Sequence, residues 1–140
     1  MKLIDTCAII NLFENNKEKE LLDEDIAVAS FNKEELLFVT HRHKINEHLR
    51  HRMRKFFEKN EVKIIDVPVH PGNRIEEITY VESINTELLK LIPDPSDAVL
   101  AACALRNNAD IVTKDRHHLY TAKLENLFEK NKINVSKTMK

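Results

Sequence analysis

Apolar positions along the chain switch between short buried runs and stretches that recur every three to four residues. That alternation predicts an α/β protein, a central and mostly parallel sheet of four to five strands covered by helices. Residues 2–4 read as a strand and 6–13 as a helix whose end is loosened by Asn15 and Asn16. Residues 17–25 are polar and irregular, with room for one helical turn, and 26–31 (IAVASF) form a second strand. Asn32 then opens a long helix reaching Lys59, with Asn32 and Glu35 spaced as a capping pair. A third strand is expected over 62–67, followed by a loop at Pro68, Pro71 and Gly72. Residues 74–91 place Ile75, Ile78, Val81, Leu88 and Leu91 at helical spacing. Asp94 and Pro95 suit the cap and first turn of another helix. A fourth strand is expected over 110–113, a helix over 119–130 and a fifth strand over 133–135. The polar stretch 131–140 reads as a partly frayed tail, so 1–140 is expected to form one domain.

Composition narrows the chemistry. The chain has 140 residues, 22 Lys or Arg against 23 Asp or Glu, and a formal net charge of −1, which excludes a strongly basic nucleic-acid coat but not a local basic face. Two cysteines, Cys7 and Cys103, exclude a disulfide scaffold and a multi-cysteine zinc site. The single glycine, Gly72, excludes a glycine-rich phosphate loop and a dinucleotide fingerprint. Asp5 interrupts the first apolar run and the run 98–105 is too short to span a bilayer, so a cytoplasmic protein without membrane contact is expected. The chemistry must then come from side chains.

Ligands of open α/β sheets collect outside the carboxyl ends of the strands. Asp5 directly follows the first strand, Asp115 follows the fourth, and Asp97 sits in the first turn of the helix that leads to it. Acids that converge repel unless a cation neutralises them, and an all-oxygen set favours Mg²⁺ or Mn²⁺. Glu35 and Glu47 compete as a fourth acid. At about 100° per residue on one continuous helix, Glu35 falls on the stripe shared by Phe38, Ile45, Leu49, Met53 and Phe56, whereas Glu47 falls opposite, which selects Glu35. The bland alternatives are an Asp97 that serves only the helix dipole and a Glu35 that serves only the capping box. Asp5, at the end of a buried strand, has little structural use on this reading.

The segments Ile4-Asp5-Thr6-Cys7-Ala8, Glu34-Glu35-Leu36-Leu37, Asp97-Ala98-Val99-Leu100-Ala101 and Ile111-Val112-Thr113-Lys114-Asp115 resemble PIN-domain ribonucleases, especially the VapC toxin type, in order and over nearly the whole chain. The resemblance implies a three-layer α/β/α sandwich and a Mg²⁺- or Mn²⁺-dependent ribonuclease. Asp5, Glu35, Asp97 and Asp115 would be its catalytic, metal-holding acids, with Thr6 and Thr113 as supporting hydroxyls. It also implies an RNA substrate, a small antitoxin protein as partner, and a homodimer. Cys7 stands where the family often has Ser, and His117 where many members have another Asp. Lys114, Arg116 and His117 flank Asp115 and are placed to touch the scissile phosphate. Between His41 and Lys59 lie seven Lys or Arg and four His, a phosphate-tracking face or simply a solvated one. Other readings of the same residues are a housekeeping RNA-processing nuclease and a non-catalytic RNA-binding or scaffold module. A phospho-acceptor domain would want an acid two residues after Asp5, where Cys7 stands.

Overall fold

The computed structural model describes residues 1–39, 44–114 and 122–137. Five strands, β1 (Lys2–Ile4), β2 (Ile26–Ala29), β3 (Ile64–Ile65), β4 (Asp110–Val112) and β5 (Val135–Ser136), form one sheet in the order β3-β2-β1-β4-β5. Every pairing is parallel, with Leu3 opposite both Ala27 and Ile111. Parallel strands need crossovers, and those crossovers supply the helices. They are α1 (Thr6–Glu14), α2 (Ser30–Phe38), α3 (Glu47–Lys59), α4 (Arg74–Ile84), α5 (Leu88–Leu91), α6 (Pro95–Asn107) and α7 (Ala122–Lys130), with a 3₁₀ turn at Glu18–Leu22 after α1.

Strand alternation sorts the core into two layers. Leu3, Ala27, Ala29 and Ile111 face a cluster built with Val81, Leu88, Ile92, Leu124 and Phe128 and the buried run of α6. Ile4, Ile26, Val28 and Val112 face the other way, against Ile9, Phe13, Leu36, Leu49 and Met53. Helices α4 to α7 therefore cover one face and α1 to α3 the other, which is the expected three-layer sandwich. Burial pushes the Cys103 thiol upward in pKa, and it also raises the hydroxyl of Tyr80, which bonds that thiol; Cys103 is an inert core residue.

Several boundaries differ from the sequence expectation for identifiable reasons. The second strand stops at Ala29, because Ser30 already belongs to α2. The third is only two residues long, because the Ser30 hydroxyl, not a strand partner, accepts from Val67 N (2.8 Å) and donates to Val67 O (3.3 Å). The expected long helix from Asn32 is two helices, α2 ending at Phe38 and α3 beginning after the cap Asn46, whose side chain accepts from Leu49 N at 2.7 Å. Two arginines of α3 make the fold-back favourable. Arg50 donates to Leu36 O (2.6 Å) and Val39 O (3.4 Å), and Arg54 donates to Leu37 O (2.9 Å). These are the orphan carbonyls at the end of α2, where cations are favoured by the helix dipole. Phe38, expected on the buried stripe, is 68% exposed, and Ile75 of α4 is 78% exposed. The inward-facing position near the start of α4 belongs instead to Glu77.

Candidate active site

The strand order reverses between β1 and β4, and the crevice outside their carboxyl ends is the expected ligand position of such a sheet. Asp5 stands in that crevice. Its backbone N–H extends the β1–β4 ladder to Val112 O (2.9 Å), so its direction is set by the sheet. Its side chain caps α1: Oδ1 accepts from Ala8 N at 2.9 Å, while Oδ2 accepts from the Thr113 hydroxyl at the end of β4. This corrects the expectation that Asp5 lacks structural use; it is the N-cap of α1. The two roles are compatible, because the carboxylate is nearly buried and held by donors on both oxygens.

Thr6 begins a second chain of bonds on the other side. Asn32 Nδ2 donates to Thr6 Oγ1 (2.9 Å), and that hydroxyl donates to Glu35 Oε1 (2.8 Å). All three side chains are buried. The capping-box expectation for Asn32 and Glu35 is overturned, since both lie inside α2 and neither caps it. The expectation that Glu35, and not Glu47, points inward is met: Glu35 is 4% exposed and Glu47 is on the surface. Asn32 Oδ1 is buried without a hydrogen-bond partner among the described residues, next to the Thr6–Glu35 pair. A buried amide oxygen left in that state is costly unless a ligand or water completes it.

Asp97 occupies the first turn of α6, half-buried. Capping falls to Asp94, whose Oδ1 accepts from Ser96 N (3.0 Å), with Pro95 at the first position, so Asp97 is not the cap. Because α6 runs back to the start of β4, its first turn lies at the same sheet edge as Asp5. Asp115, Arg116 and His117 lie outside the described residues. Lys114 is exposed at the end of β4. Among the described residues, no three or more His, Cys, Asp or Glu are gathered as the ligands of one metal ion would be, and Asp115 lies outside those residues. The donors nevertheless fit a hard divalent cation in kind. They are carboxylates with hydroxyl support beside an unpartnered amide oxygen.

Sequence reasoning missed Glu77. It is fully buried in α4, and its Oε2 accepts from Ser96 Oγ (2.6 Å) and Gly72 N (3.2 Å), while Oε1 has no hydrogen-bond partner among the described residues. It anchors the residue next to Asp97, so it bears on how α6 presents that acid. The available signal was a glutamate four positions before Val81, on the helical face that faces the core. Glu77→Ala strands both donors, and a stability loss of about 1–3 kcal/mol is expected in urea unfolding. Glu77→Gln keeps an acceptor and should lose less than half of that; equal losses would contradict the anchoring role.

Three of the basic residues on α3 are engaged within the molecule. Arg50 and Arg54 bind the end of α2, and Arg52 pairs with Glu18 at 3.0 Å. Lys44 just before the helix, with His48, His51, Lys55 and Lys59 on it, faces outward. His43, Glu47 and His51 stand four residues apart, a spacing that could place them on one helical face as metal ligands, but His43 lies outside the described residues.

A parallel sheet reversing its order beside two hydroxyl-supported carboxylates defines an α/β domain whose crevice is acidic, not a glycine-lined phosphate loop. The match of residues 2–124 to the PIN domain gives the family: the chain belongs to the PIN-domain family. PIN domains are generally nucleases that act on RNA or other nucleic acid and generally use divalent metals. No curated protein matches the chain. Among the described residues no helix is long and apolar enough to cross a membrane.

Proposed function

We propose that the protein is a divalent-metal-dependent endoribonuclease, with Asp5, Glu35, Asp97 and Asp115 as its acidic set. One observation carries the reading. Two buried carboxylates from different elements flank the β1–α1 junction, and each accepts from a threonine hydroxyl, Asp5 from Thr113 and Glu35 from Thr6. Hydroxyls that donate to carboxylates fix their orientation, as the partners of metal ligands do. Bound there, Mg²⁺ or Mn²⁺ would lower the pKa of a water and stabilise charge on the transferring phosphoryl group. The chain's own share is positional. Ala8 and Thr113 set the two Asp5 oxygens, Thr6 sets Glu35, and Glu77 through Ser96 steadies the first turn of α6.

Purified protein should cut single-stranded RNA with Mg²⁺ or Mn²⁺ and stop on chelation. Asp97→Asn should reduce the rate by about 10³-fold, the scale of losing a principal charge-stabilising group. Equal cutting by both proteins would overturn the assignment. The resemblance of the four acidic segments to VapC toxins supports the toxin half of a toxin–antitoxin pair as the biological role. Induced expression should then arrest growth in the wild type and not in Asp97→Asn. The alternative is a non-catalytic RNA-binding or scaffold module. RNA binding without cleavage in either metal would establish it instead.

A further inference from the structure

A cavity of about 140 Å³ opens on the sheet face shared by Ile4 and Val112, against Ala8 and Leu12 of α1. Two of its lining residues are tied to Asp5: Ala8 donates its N–H to that acid, and Lys114 follows Thr113, whose hydroxyl does the same. The rim carries Lys17, Lys114 and Lys137, which come from the end of α1, the end of β4 and the stretch after β5. None of the three ammonium groups pairs with an acid among the described residues, not even with Glu20, the one carboxylate that lines the same cavity. The whole chain has a net charge of −1, so this cluster is a local feature and not part of a general basic coat. Like charges gathered from three separate stretches around one small opening repel until an anion neutralises them, and lysine binds phosphate as a point charge.

The remaining polar rim is of another kind. It is made by the amide of Asn11 and the carboxylate of Glu20. A carboxylate repels phosphate but accepts well from a hydroxyl, and an amide can both donate and accept. The 2′-hydroxyl of ribose is both donor and acceptor and is the group by which proteins tell RNA from DNA. At about 140 Å³ the opening has room for a phosphate with part of its sugar.

We propose that this cavity is a backbone subsite for the RNA strand beside the cleaved bond, in which Lys17, Lys114 and Lys137 hold phosphate while Asn11 and Glu20 engage the ribose 2′-hydroxyl. The inference rests on the nuclease reading for the orientation of the strand, but its test does not depend on cleavage. Binding of a short labelled single-stranded oligoribonucleotide, and of the oligodeoxynucleotide of the same sequence, is measured by fluorescence anisotropy in chelator across a salt series. Wild type should bind RNA more tightly than DNA. The double variant Lys17→Gln, Lys137→Gln should weaken both and flatten the slope of log K against log[salt] by about 1.4, at ~0.7 per phosphate contact on a single strand. The double variant Asn11→Ala, Glu20→Gln should keep the slope and lose the preference for RNA. All four residues are at least partly exposed, so unchanged thermal unfolding is the control for folding. An unchanged slope in the lysine variant, or an undiminished RNA preference in the other, overturns the subsite. So does a labelled acidic peptide that wild type binds and the lysine variant does not, with RNA binding of that variant intact, which would assign the cavity to a protein partner. If wild type fails to cut RNA while both binding shifts occur, the nuclease reading falls and the subsite stands. If it cuts and neither shift occurs, the subsite alone falls.

Discussion

Asp5→Asn is expected to cut the rate of metal-dependent RNA cleavage by about 10³-fold or more, with little change in stability. The separation follows from the two jobs of this side chain. Asparagine is as good an N-cap as aspartate, so the bond from Ala8 N to Oδ1 survives. The amide oxygen left in place can still accept from one donor, but the negative charge that would hold a cation is gone, a loss on the scale of ~4 kcal/mol. Thr113→Val is the graded companion. It keeps the shape and the charge and removes only the hydroxyl on Asp5 Oδ2, so a fall of about 10–100-fold is expected, as for groups that orient metal ligands. Cleavage rates with thermal unfolding in parallel make the check. A variant Asp5→Asn that cuts within tenfold of wild type would reduce Asp5 to a helix cap.

The largest effect on stability is expected at Arg50. Its side chain is 1% exposed, and its guanidinium spans two carbonyls at the end of α2, Leu36 O and Val39 O, while Glu47 lies 3.9 Å from Nε. Arg50→Ala leaves the end of α2 without these donors and opens a void where the stem packed. Hydrogen bonds to a charged group contribute about 1.5–3 kcal/mol each, and two of them are lost together with the packing of the stem. A loss of roughly 3 kcal/mol or more is therefore expected, seen as a lower urea midpoint at unchanged m. Lysine cannot reproduce the fork, so Arg50→Lys should recover only part. Because Leu36 directly follows Glu35, the same variants should lower cleavage beyond what their folded fraction explains. A loss below about 1 kcal/mol would contradict the role given to Arg50 in joining α2 to α3.

The order and parallel character of the elements were legible because apolar runs are short, punctuated and followed by acids at strand ends. Ile4-Asp5-Thr6 and Val112-Thr113-Lys114 mark the two strands that flank the switch point, and Asp94-Pro95 marks the start of α6 where the structure has it. What failed was phase. A helical wheel carried across residues 32–59 assumes one axis, whereas Asn46 restarts the helix and Arg50 folds it back on α2. Hence Phe38 came out buried on the wheel and exposed in the fold, even though Glu35, within α2 itself, was assigned to the correct side. Asn32 looked like a cap because its spacing to Glu35 is that of a capping box, yet its partner is Thr6, 26 positions away, a contact no local pattern encodes. Glu77 is of the same kind: its partner Ser96 is distant in sequence, and burial of a glutamate reads as improbable until that partner is known.

A metal nuclease requires that the acids at the carboxyl edge of the sheet hold a divalent cation. Crystals soaked in Mn²⁺ and measured for anomalous scattering test that directly. A peak is expected at the β1–β4 crevice within ligand distance of Asp5, with Glu35 or Asp97 completing the shell, and it should be lost in Asp5→Asn crystals. Full Mn²⁺ occupancy elsewhere on the protein, with the crevice empty, would contradict it.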